Sequence, residues 1–500
     1  MPAFRGFALA FAAVAAVCTF GPRTAGQAQA DLGAQFQIAT DFFEAARYRE
    51  ALNAYDLALR GDDVALGTRA RKGKIRTALR MAEFDLARAE AETLNVGEVL
   101  DAEARTLLGD ALWANGLFDE ADAAYGEARE VAPGSSRARF GLARTLASRS
   151  RLNEALDEAL EAASMAPMDA EVQGLVASIY ERLNRFPEAI DAYERYIALL
   201  PGPDDSTMAG LAQGKVRLLR SFGNRTPVDI QGDEERVHRI SFRLSDSKIL
   251  MRGSVNARPM EFVLDTGSER TGISDVTARR AGVDSVAVTM TAGVGPVALR
   301  RLELGRADSI SVGSLDIRNV PLSIRVIEGG RFPQWQAEVF SPLSLGLSVV
   351  VDYGRREVLL SQALPEEGSD FRLPIRMNRL PLVRGVLNST HPAYFVVDTG
   401  GELISISAET ALALAMPPVR RIPLNVVGMS GFDLDAFLLP GVDLDFDEIT
   451  YRKIGLAVLN LRAPSVLLGF QLGGIVGHSF LSDYRVSLDV GRSEMRLKKL

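Results

Sequence analysis

The sequence contains Phe-Val-Leu-Asp-Thr-Gly-Ser at residues 262–268 and Phe-Val-Val-Asp-Thr-Gly-Gly at residues 395–401. Each stretch is an apolar, β-branched run that ends in Asp-Thr-Gly, which is the pattern of a buried strand followed by a tight turn. Asp265 and Asp398 are therefore both expected at the end of a strand, in apolar surroundings. One such carboxylate would be an ordinary buried acid with hydrogen-bond partners. Two of them on matching segments predict a pair.

The similarity between the two stretches extends over a longer segment. Residues 252–256, Arg-Gly-Ser-Val-Asn, match residues 384–388, Arg-Gly-Val-Leu-Asn. Downstream, Asp352 and Asp489 each open an Asp-x-Gly-Arg segment, and we interpret both as caps of hairpin turns rather than as a second catalytic pair. The two Asp-Thr-Gly aspartates are 133 positions apart, and the two capping aspartates are 137 positions apart. The sequence thus predicts a unit that occurs twice.

The composition is typical of a soluble globular protein, with 47% hydrophobic and 24% charged residues. A length of 500 residues predicts three or four domain-sized units. The formal net charge of −7 lacks the basic footprint of proteins that bind nucleic acid or an anionic membrane. Neither class of partner is therefore expected.

Residues 1–30 have the pattern of a secretory signal peptide. A basic Arg5 precedes a short apolar run, and Ala28-Gln29-Ala30 forms a cleavage site. Cleavage after Ala30 would deliver an exported protein, periplasmic or secreted, and the apolar run is too short to span a bilayer. A lipid anchor on Cys18 is the alternative. Cys18 is the only cysteine, so the mature chain would have no cysteine nucleophile, thiolate metal site or disulfide.

Residues 31–221 show a period of 34 residues. The period recurs at three sets of positions: Phe84, Phe118, Leu152 and Phe186; Ala87, Ala121, Ala155 and Ala189; and Pro133, Pro167 and Pro201. Small residues at fixed positions let paired helices approach closely, and the prolines end the second helix of each pair. The region resembles the tetratricopeptide repeat family. That resemblance implies a helical solenoid, with a capping helix near 206–222 and a concave face for a protein partner. Residues 222–235 are interpreted as a linker.

Residues 236–500 consist of short runs of Val, Ile and Leu broken by Gly, Pro and Asn, which predicts a mostly antiparallel β structure. With its two Asp-Thr-Gly motifs, this part resembles the retropepsin-like aspartic proteases. Residues 474–481 also resemble the apolar-apolar-Gly segment found late in each protease lobe. The resemblance implies a first lobe at 236–364 and a second at 365–500. The expected fold class is an all-α repeat solenoid followed by an all-β, bilobal aspartic protease with duplicated lobes.

The resemblance also implies a mechanism. Two adjacent carboxylates cannot both ionise comfortably, so Asp265 and Asp398 would share a proton and activate water for attack on a peptide bond. Residues expected to support the pair are Thr266, Gly267, Ser268, Thr399, Gly400 and Gly401. Glycine-containing hairpins would cover the site, with Gly293, Gly295, Gly428 and Gly431 as candidates. No metal or other cofactor is expected, because the three histidines lie far apart in the sequence.

Three differences between the halves affect this interpretation. Alignment of the late segments puts Phe340 where the second half has Gly477. Ser268 follows the first motif, and a hydroxyl bonded to Asp265 would favour its ionisation. Asp265 is therefore interpreted as the base and Asp398 as the more readily protonated acid. Residues 323–337, which include Arg325, Arg331 and Trp335, are interpreted as an irregular insertion.

Two other functions fit the same sequence. A peptide-binding scaffold could keep the cleft and lack turnover, as the Phe340 and Gly401 differences suggest. An assembly factor could act through the repeats, with a mainly structural second half. Deletion of residues 31–221 would separate a protease from an assembly factor, because a protease should still cleave short peptides.

Overall fold

The computed structural model describes residues 25–96, 101–201, 207–295, 299–326, 338–416, 422–428 and 431–500. Two compact units divide between Lys74 and Ile75. The first unit contains α1 (Ala25–Glu44), α2 (Tyr48–Ala58) and the start of α3 (Val64–Arg80). Its core consists of small residues around one aromatic ring, namely Ala39, Ala51, Ala54, Tyr55, Ala58 and Ala70. Helix α1 includes residues 25–30 of the predicted signal peptide, whereas residues 1–24 lie outside the described residues.

The second unit continues with antiparallel helix pairs. The helices are α4 (Phe84–Leu94), α5 (Ala102–Ala114), α6 (Phe118–Val131), α7 (Ser136–Ser148), α8 (Leu152–Met165), α9 (Ala170–Arg182), α10 (Phe186–Leu199) and α11 (Thr207–Arg220). The 34-residue period has a direct structural meaning. Its large apolar positions begin α4, α6, α8 and α10, and its alanines are fully buried where the helices touch. Asp101 and Asp169, two periods apart, cap α5 and α9 by accepting hydrogen bonds from backbone N–H groups.

The remaining chain is rich in β-strands. Up to residue 361 the strands are β1 (Asp229–Ile230), β2 (His238–Ser245), β3 (Lys248–Val255), β4 (Arg258–Leu264), β5 (Gly272–Ser274), β6 (Ser285–Thr291), β7 (Arg300–Val312), β8 (Leu315–Arg325), β9 (Val339–Phe340), β10 (Ser348–Asp352) and β11 (Glu357–Ser361). Helix α12 (Asp275–Ala281) follows β5. Strand β1 lies inside the predicted linker and pairs with β8.

Residues 371–499 form a second set of strands. These are β12 (Phe371–Asn378), β13 (Leu380–Leu387), β14 (His391–Val397), β15 (Ile404–Ser407), β16 (Ile422–Pro423), β17 (Val426–Gly428), β18 (Gly431–Asp433), β19 (Phe437–Phe446), β20 (Ile449–Leu459), β21 (Gly474–Val476), β22 (Tyr484–Asp489) and β23 (Glu494–Lys499). Three short helices accompany them: α13 (Ala408–Ala413), α14 (Arg462–Leu468) and α15 (His478–Leu481).

Several pairings recur in both sets of strands. Strand β4 pairs in parallel with β9, and β14 pairs in parallel with β21. Strand β5 pairs in parallel with β8, and β15 pairs in parallel with β20. An antiparallel sheet in the order β2-β11-β10-β22-β23-β12 joins the two sets. One apolar core extends through both sets and contains Phe262, Phe340, Phe395, Phe446 and Phe480.

The helices of the second unit share apolar cores with the strands. One cluster combines residues of α7–α11 with Ala287 of β6 and Leu304 of β7. In another, the Phe118 ring packs edge-on against Tyr394 of β14 and Phe470, with ring centroids 4.8 and 5.1 Å apart. The repeats and the strands of this unit are therefore packed as one body. No helix among the described residues has the length and apolar character needed to cross a bilayer.

Candidate active site

Each Asp-Thr-Gly motif begins where a buried strand ends. Strand β4 ends at Leu264 and β14 ends at Val397, and both of these residues are fully buried. The next residue is held by the adjacent parallel strand in the same way in both cases. The N–H of Asp265 donates to the carbonyl of Phe340 (3.0 Å), and the N–H of Asp398 donates to the carbonyl of Val476 (3.0 Å).

The two threonines lock the turns to each other. The hydroxyl of Thr266 donates to the carbonyl of Val397 (2.6 Å) and accepts from the N–H of Thr399 (3.0 Å). The hydroxyl of Thr399 donates to the carbonyl of Leu264 (2.9 Å) and accepts from the N–H of Thr266 (3.1 Å). Both threonines are 1% exposed, so these four hydrogen bonds are shielded from water. This exchange brings two segments together that are 133 positions apart.

The glycines of the motifs let the carboxyl groups approach the opposite turn. A Cβ added at Gly267 would collide with the carboxyl carbon of Asp398. A Cβ added at Gly400 would lie 3.1 Å from Oδ1 of Asp265 and 3.1 Å from Oδ1 of Asp398. Both carboxyl groups therefore lie against the same glycine. Gly401 is also close, since a Cβ there would lie 3.1 Å from Oδ2 of Asp398.

The two acids have different surroundings. Burial, followed by the negative charge of Asp398, raises the pKa of Asp265 to about 8. Oδ1 of Asp265 is buried, and no described residue forms a hydrogen bond with it. Oδ1 of Asp398 instead accepts a hydrogen bond from the N–H of Gly400 (2.7 Å). Burial and the neighbouring carboxylate thus favour the protonated form of Asp265, whereas the sequence suggested its ionised form.

Ser268 does not act as the sequence suggested. Its hydroxyl donates to the carbonyl of Arg270 (2.9 Å) instead of to Asp265. Its own carbonyl accepts a hydrogen bond from the hydroxyl of Ser341 (2.6 Å). The side chain therefore shapes the turn after the motif and does not supply the hydrogen bond that was expected to favour ionised Asp265.

The position of Phe340 also corrects the sequence alignment. Because Leu264 pairs with Phe340 and Val397 pairs with Val476, Phe340 corresponds to Val476. Ser341, not Phe340, corresponds to Gly477. The sequence alignment was shifted by one residue, and an apolar residue occupies the expected place in both halves. Phe340 therefore supports Asp265 through its carbonyl, as Val476 supports Asp398.

The four glycines predicted to lie in covering hairpins belong to two segments that contact each other. Gly293 and Gly295 follow β6, and Gly428 pairs with Gly431 in the hairpin of β17 and β18. A Cβ added at Gly428 would collide with the carbonyl oxygen of Val294. The two glycine-containing segments are thus in van der Waals contact.

The second pair of matching acids has the structural role that the sequence predicted. Oδ1 of Asp352 accepts from the N–H of Arg355 (2.8 Å), and Oδ1 of Asp489 accepts from the N–H of Arg492 (3.0 Å). Both acids cap hairpin turns. Within the described part of the chain, no group of three or more His, Asp or Glu side chains has a geometry that could hold a metal ion.

Arg325 is a residue near the pair that the sequence analysis misplaced. It is the last residue of β8, in register with Ser274 of β5, and is not part of an irregular insertion. Its Nη2 lies 3.2 Å from Oγ of Ser268. The alternation of Leu322, Ser323 and Ile324 before it was a signal for a strand. Arg331 and Trp335 lie outside the described residues.

Comparison with protein families separates the chain into two matched regions. Residues 72–121, 106–167 and 153–202 match the tetratricopeptide repeat model. Residues 251–330 match the model described as "gag-polyprotein putative aspartyl protease". No curated protein matches the chain.

Solved structures with similarity to the chain include several tetratricopeptide repeat proteins. A thermophilic repeat protein from Thermus thermophilus is 18% identical, with 35% of this chain and 94% of that protein covered and a TM-score of 0.31. PilF from Pseudomonas aeruginosa is 16% identical, with coverage of 39% and 87% and a TM-score of 0.29. YrrB, described as having an unusual peptide-binding site, is 20% identical, with coverage of 35% and 88% and a TM-score of 0.23. On the family matches, the chain contains tetratricopeptide repeats within residues 72–202 and a retropepsin-like aspartyl protease region at residues 251–330.

Proposed function

We propose that the protein is an aspartic endopeptidase in which Asp265 and Asp398 activate one water molecule for attack on a peptide bond. The observation that carries this proposal is the reciprocal hydrogen bonding of Thr266 and Thr399, which ties the two Asp-Thr-Gly turns into one centre. Peptide hydrolysis without a metal or a covalent nucleophile needs one acid and one base. Two carboxyl groups that share a proton supply both.

The asymmetry of the pair suggests how the roles are divided. We assign the shared proton to Asp265, whose pKa is raised, and this carboxyl group would donate it to the carbonyl oxygen of the scissile bond. Asp398 would remove a proton from the attacking water. The titration belongs to the pair as a unit, so one proton must be present for either group to act. We therefore expect activity to fall as the pH rises above about 8, where Asp265 ionises.

We further propose that the site lies between two duplicated protease lobes, at 236–364 and 365–500. The recurring parallel pairs β4–β9 and β14–β21, with the same position of Asp relative to the neighbouring strand, support this proposal. The contact between Gly428 and Val294 fits two hairpins that act together as a cover. On this proposal the site belongs to a single polypeptide.

The repeats are proposed to recruit a substrate protein to an exported enzyme. Tetratricopeptide repeats imply protein–protein interaction, and part of the repeat surface already contacts the strands of the same chain. Export rests on the pattern of residues 1–30. Detection of the mature protein, cleaved after Ala30, in a periplasmic fraction would test the compartment.

The activity can be tested with the purified full-length protein and denatured casein between pH 4 and pH 9. We expect cleavage by the wild type, and a loss of roughly 10²–10⁴-fold or more in Asp265→Asn and in Asp398→Asn. Asp483→Asn, a change at an exposed acid, is the matched control and should retain activity. Cleavage of casein by both Asp265→Asn and Asp398→Asn would refute the mechanism.

An inactive peptide-binding scaffold is the alternative. The Phe340 difference no longer favours the scaffold, because Phe340 corresponds to the apolar Val476 and not to Gly477. Binding of casein without any product across the whole pH range would favour the scaffold over the protease.

A further inference from the structure

Arg325 lies beside the turn that carries Asp265. Besides the contact of Nη2 with Ser268, its side chain is close to Gly272, where an added Cβ would lie 3.0 Å from Nε. The positive charge of Arg325 acts on the carboxyl group of Asp265, so the two groups are within electrostatic reach of each other. A ligand that touches this guanidinium would therefore be close to the two acids.

The guanidinium forms no direct ion pair within the described ranges of the chain, although the carboxyl groups of Asp265 and Glu338 act on it electrostatically. Its Nε is buried without an acceptor, while the side chain as a whole remains partly exposed. Glu338 is buried nearby, but its carboxylate accepts hydrogen bonds from Ser274 (2.6 Å) and Thr277 (2.6 Å). Burial of a cation without a paired anion is costly, so such a cation favours a ligand that brings a negative charge.

This arrangement is specific to one half of the site. The corresponding position of the second set of strands is Leu459, which pairs with Ser407 as Arg325 pairs with Ser274. Lys248 is another cation near the pair, but it donates to the carbonyl of Gly400 and lies 3.4 Å from the carboxylate of Glu402. Lys248 therefore already has a carboxylate in contact, whereas Arg325 has none among the described residues.

We propose that Arg325 is a specificity-determining residue that binds an acidic side chain of the substrate within about two residues of the scissile bond. The proposal rests on the proposed endopeptidase function. A guanidinium can bind a carboxylate through two parallel hydrogen bonds, which a neutral amide of the same size cannot match. Neighbouring residues of an extended peptide are about 3.3 Å apart, so a side chain that reaches Arg325 belongs to a position next to the reacting carbonyl.

The test uses pairs of peptides that differ only by Glu or Gln at one position, scanned over three positions on each side of the cleaved bond. For the wild type we expect kcat/KM to favour Glu by about 10-fold or more at one position, since hydrogen bonds to charged groups are stronger than neutral ones. In Arg325→Leu, which introduces the residue found in the other half, the Glu/Gln ratio should fall to about 1. Arg325→Lys should retain part of the preference.

The ratio of two peptides is the readout, so an overall loss of rate or of folded protein does not imitate the expected result. Arg318→Leu, at an exposed position of the same strand, should keep the wild-type ratio. Equal cleavage of Glu and Gln peptides by the wild type, or a preference that survives in Arg325→Leu, would overturn the proposal.

Failure of the proposed activity can be distinguished from failure of this inference. If the wild type cleaves none of the peptides, binding of the same labelled pairs is measured by fluorescence anisotropy. A preference for Glu that disappears in Arg325→Leu would support an acidic subsite in a non-hydrolytic cleft. Absence of any preference for Glu in binding would overturn the subsite as well.

Discussion

At the scale of single residues, the two aspartates differ in the hydrogen bonds that their carboxyl groups accept. Asp398 accepts from the N–H of Gly400, whereas Oδ1 of Asp265 is buried without a described partner. The sequence showed a serine after one motif and a glycine after the other, and suggested a hydrogen bond from Ser268 to Asp265. A side chain's partner cannot be read from its position in a motif, because the hydroxyl of Ser268 had a carbonyl in reach and bonded to that.

A pH-dependent stability follows from the raised pKa of Asp265. Between about pH 4 and about pH 8 the folded protein keeps a proton that the unfolded chain releases, so this group makes the free energy of unfolding decrease as pH rises. The decrease is at most about 1.4 kcal/mol per pH unit. In urea denaturation, the free energy of unfolding should therefore fall more steeply with pH in the wild type than in Asp265→Asn.

Burial lowers the pKa of His238 and of His478, which makes the free energy of unfolding rise with pH in the wild type and in Asp265→Asn alike. Burial opposes ionisation of Glu171 and Glu181, but their partners Arg137 and Lys215 lower the pKa of each to about 2. Their stabilising effect is present above about pH 4.5 and is lost as pH falls towards 2.

Asp483→Asn is the control for the Asp265 experiment, and its free energy of unfolding should change with pH as in the wild type. A slope that persists unchanged in Asp265→Asn would show that another group is responsible.

At the scale of helices and strands, the sequence predicted most of the structure. The 34-residue period gave the helix pairs because its alanines are inter-helix contacts, and the β-branched runs before each Asp-Thr-Gly are strands. The pairing register of the short strands was harder to predict. Phe340 and Ser341 lie in and just after a two-residue strand whose pairing depends on hydrogen bonds to β4, and a shift of one residue is invisible in such a short motif.

Helix α11 offers a test of how the repeats contact the strands. Gly214 is buried, and a Cβ there would lie 2.5 Å from the carbonyl oxygen of Val288 in β6. We expect Gly214→Ala to destabilise the protein by about 1–3 kcal/mol, because backbone must shift to relieve the overlap. Chemical denaturation followed by far-UV circular dichroism measures the change.

Gly210 is the matched control in the same helix. No atom lies within 4 Å of a Cβ added at this exposed position, so Gly210→Ala should stabilise the helix by up to about 1 kcal/mol. Equal effects of the two substitutions would mean that the contact between α11 and β6 does not constrain the protein.

At the scale of the whole second unit, the sequence suggested separate modules, whereas the repeats and strands share cores. Phe118 illustrates why this could not be predicted. Its place in the 34-residue period explains a buried aromatic residue, and nothing in the sequence shows that its ring also packs on Tyr394 and Phe470. The interface uses residues whose burial has a sufficient explanation within the repeats.

This shared packing changes the expectation for the deletion of residues 31–221. Removal of the repeats would expose Tyr394, Phe470 and the apolar residues around them to water. We therefore expect the shortened chain to be destabilised and prone to aggregation, which would remove peptide cleavage for a structural reason. Point substitutions at the interface between the repeats and the strands test this contact without removing the repeats.

Arg376 of β12 provides such a substitution. It is 4% exposed and forms ion pairs with Asp119 and Asp122 of α6. Arg376→Leu removes the buried cation that both acids share, while Asp119 keeps Arg384 and Asp122 keeps Arg149, and it should cost about 3 kcal/mol in the free energy of unfolding. Arg372→Leu, at an exposed position of the same strand, should cost no more than about 1 kcal/mol. A similar cost for both would argue against a coupled interface.

The crossed threonine hydrogen bonds have a consequence for how the paired acids come together. Retropepsin-like centres that form from two separate chains fall apart on dilution, because their assembly is a bimolecular event. Here the Thr266 and Thr399 turns belong to one polypeptide, so their meeting is unimolecular and has a high effective concentration at every protein concentration. For the proposed protease, specific activity should therefore remain constant from micromolar to picomolar protein.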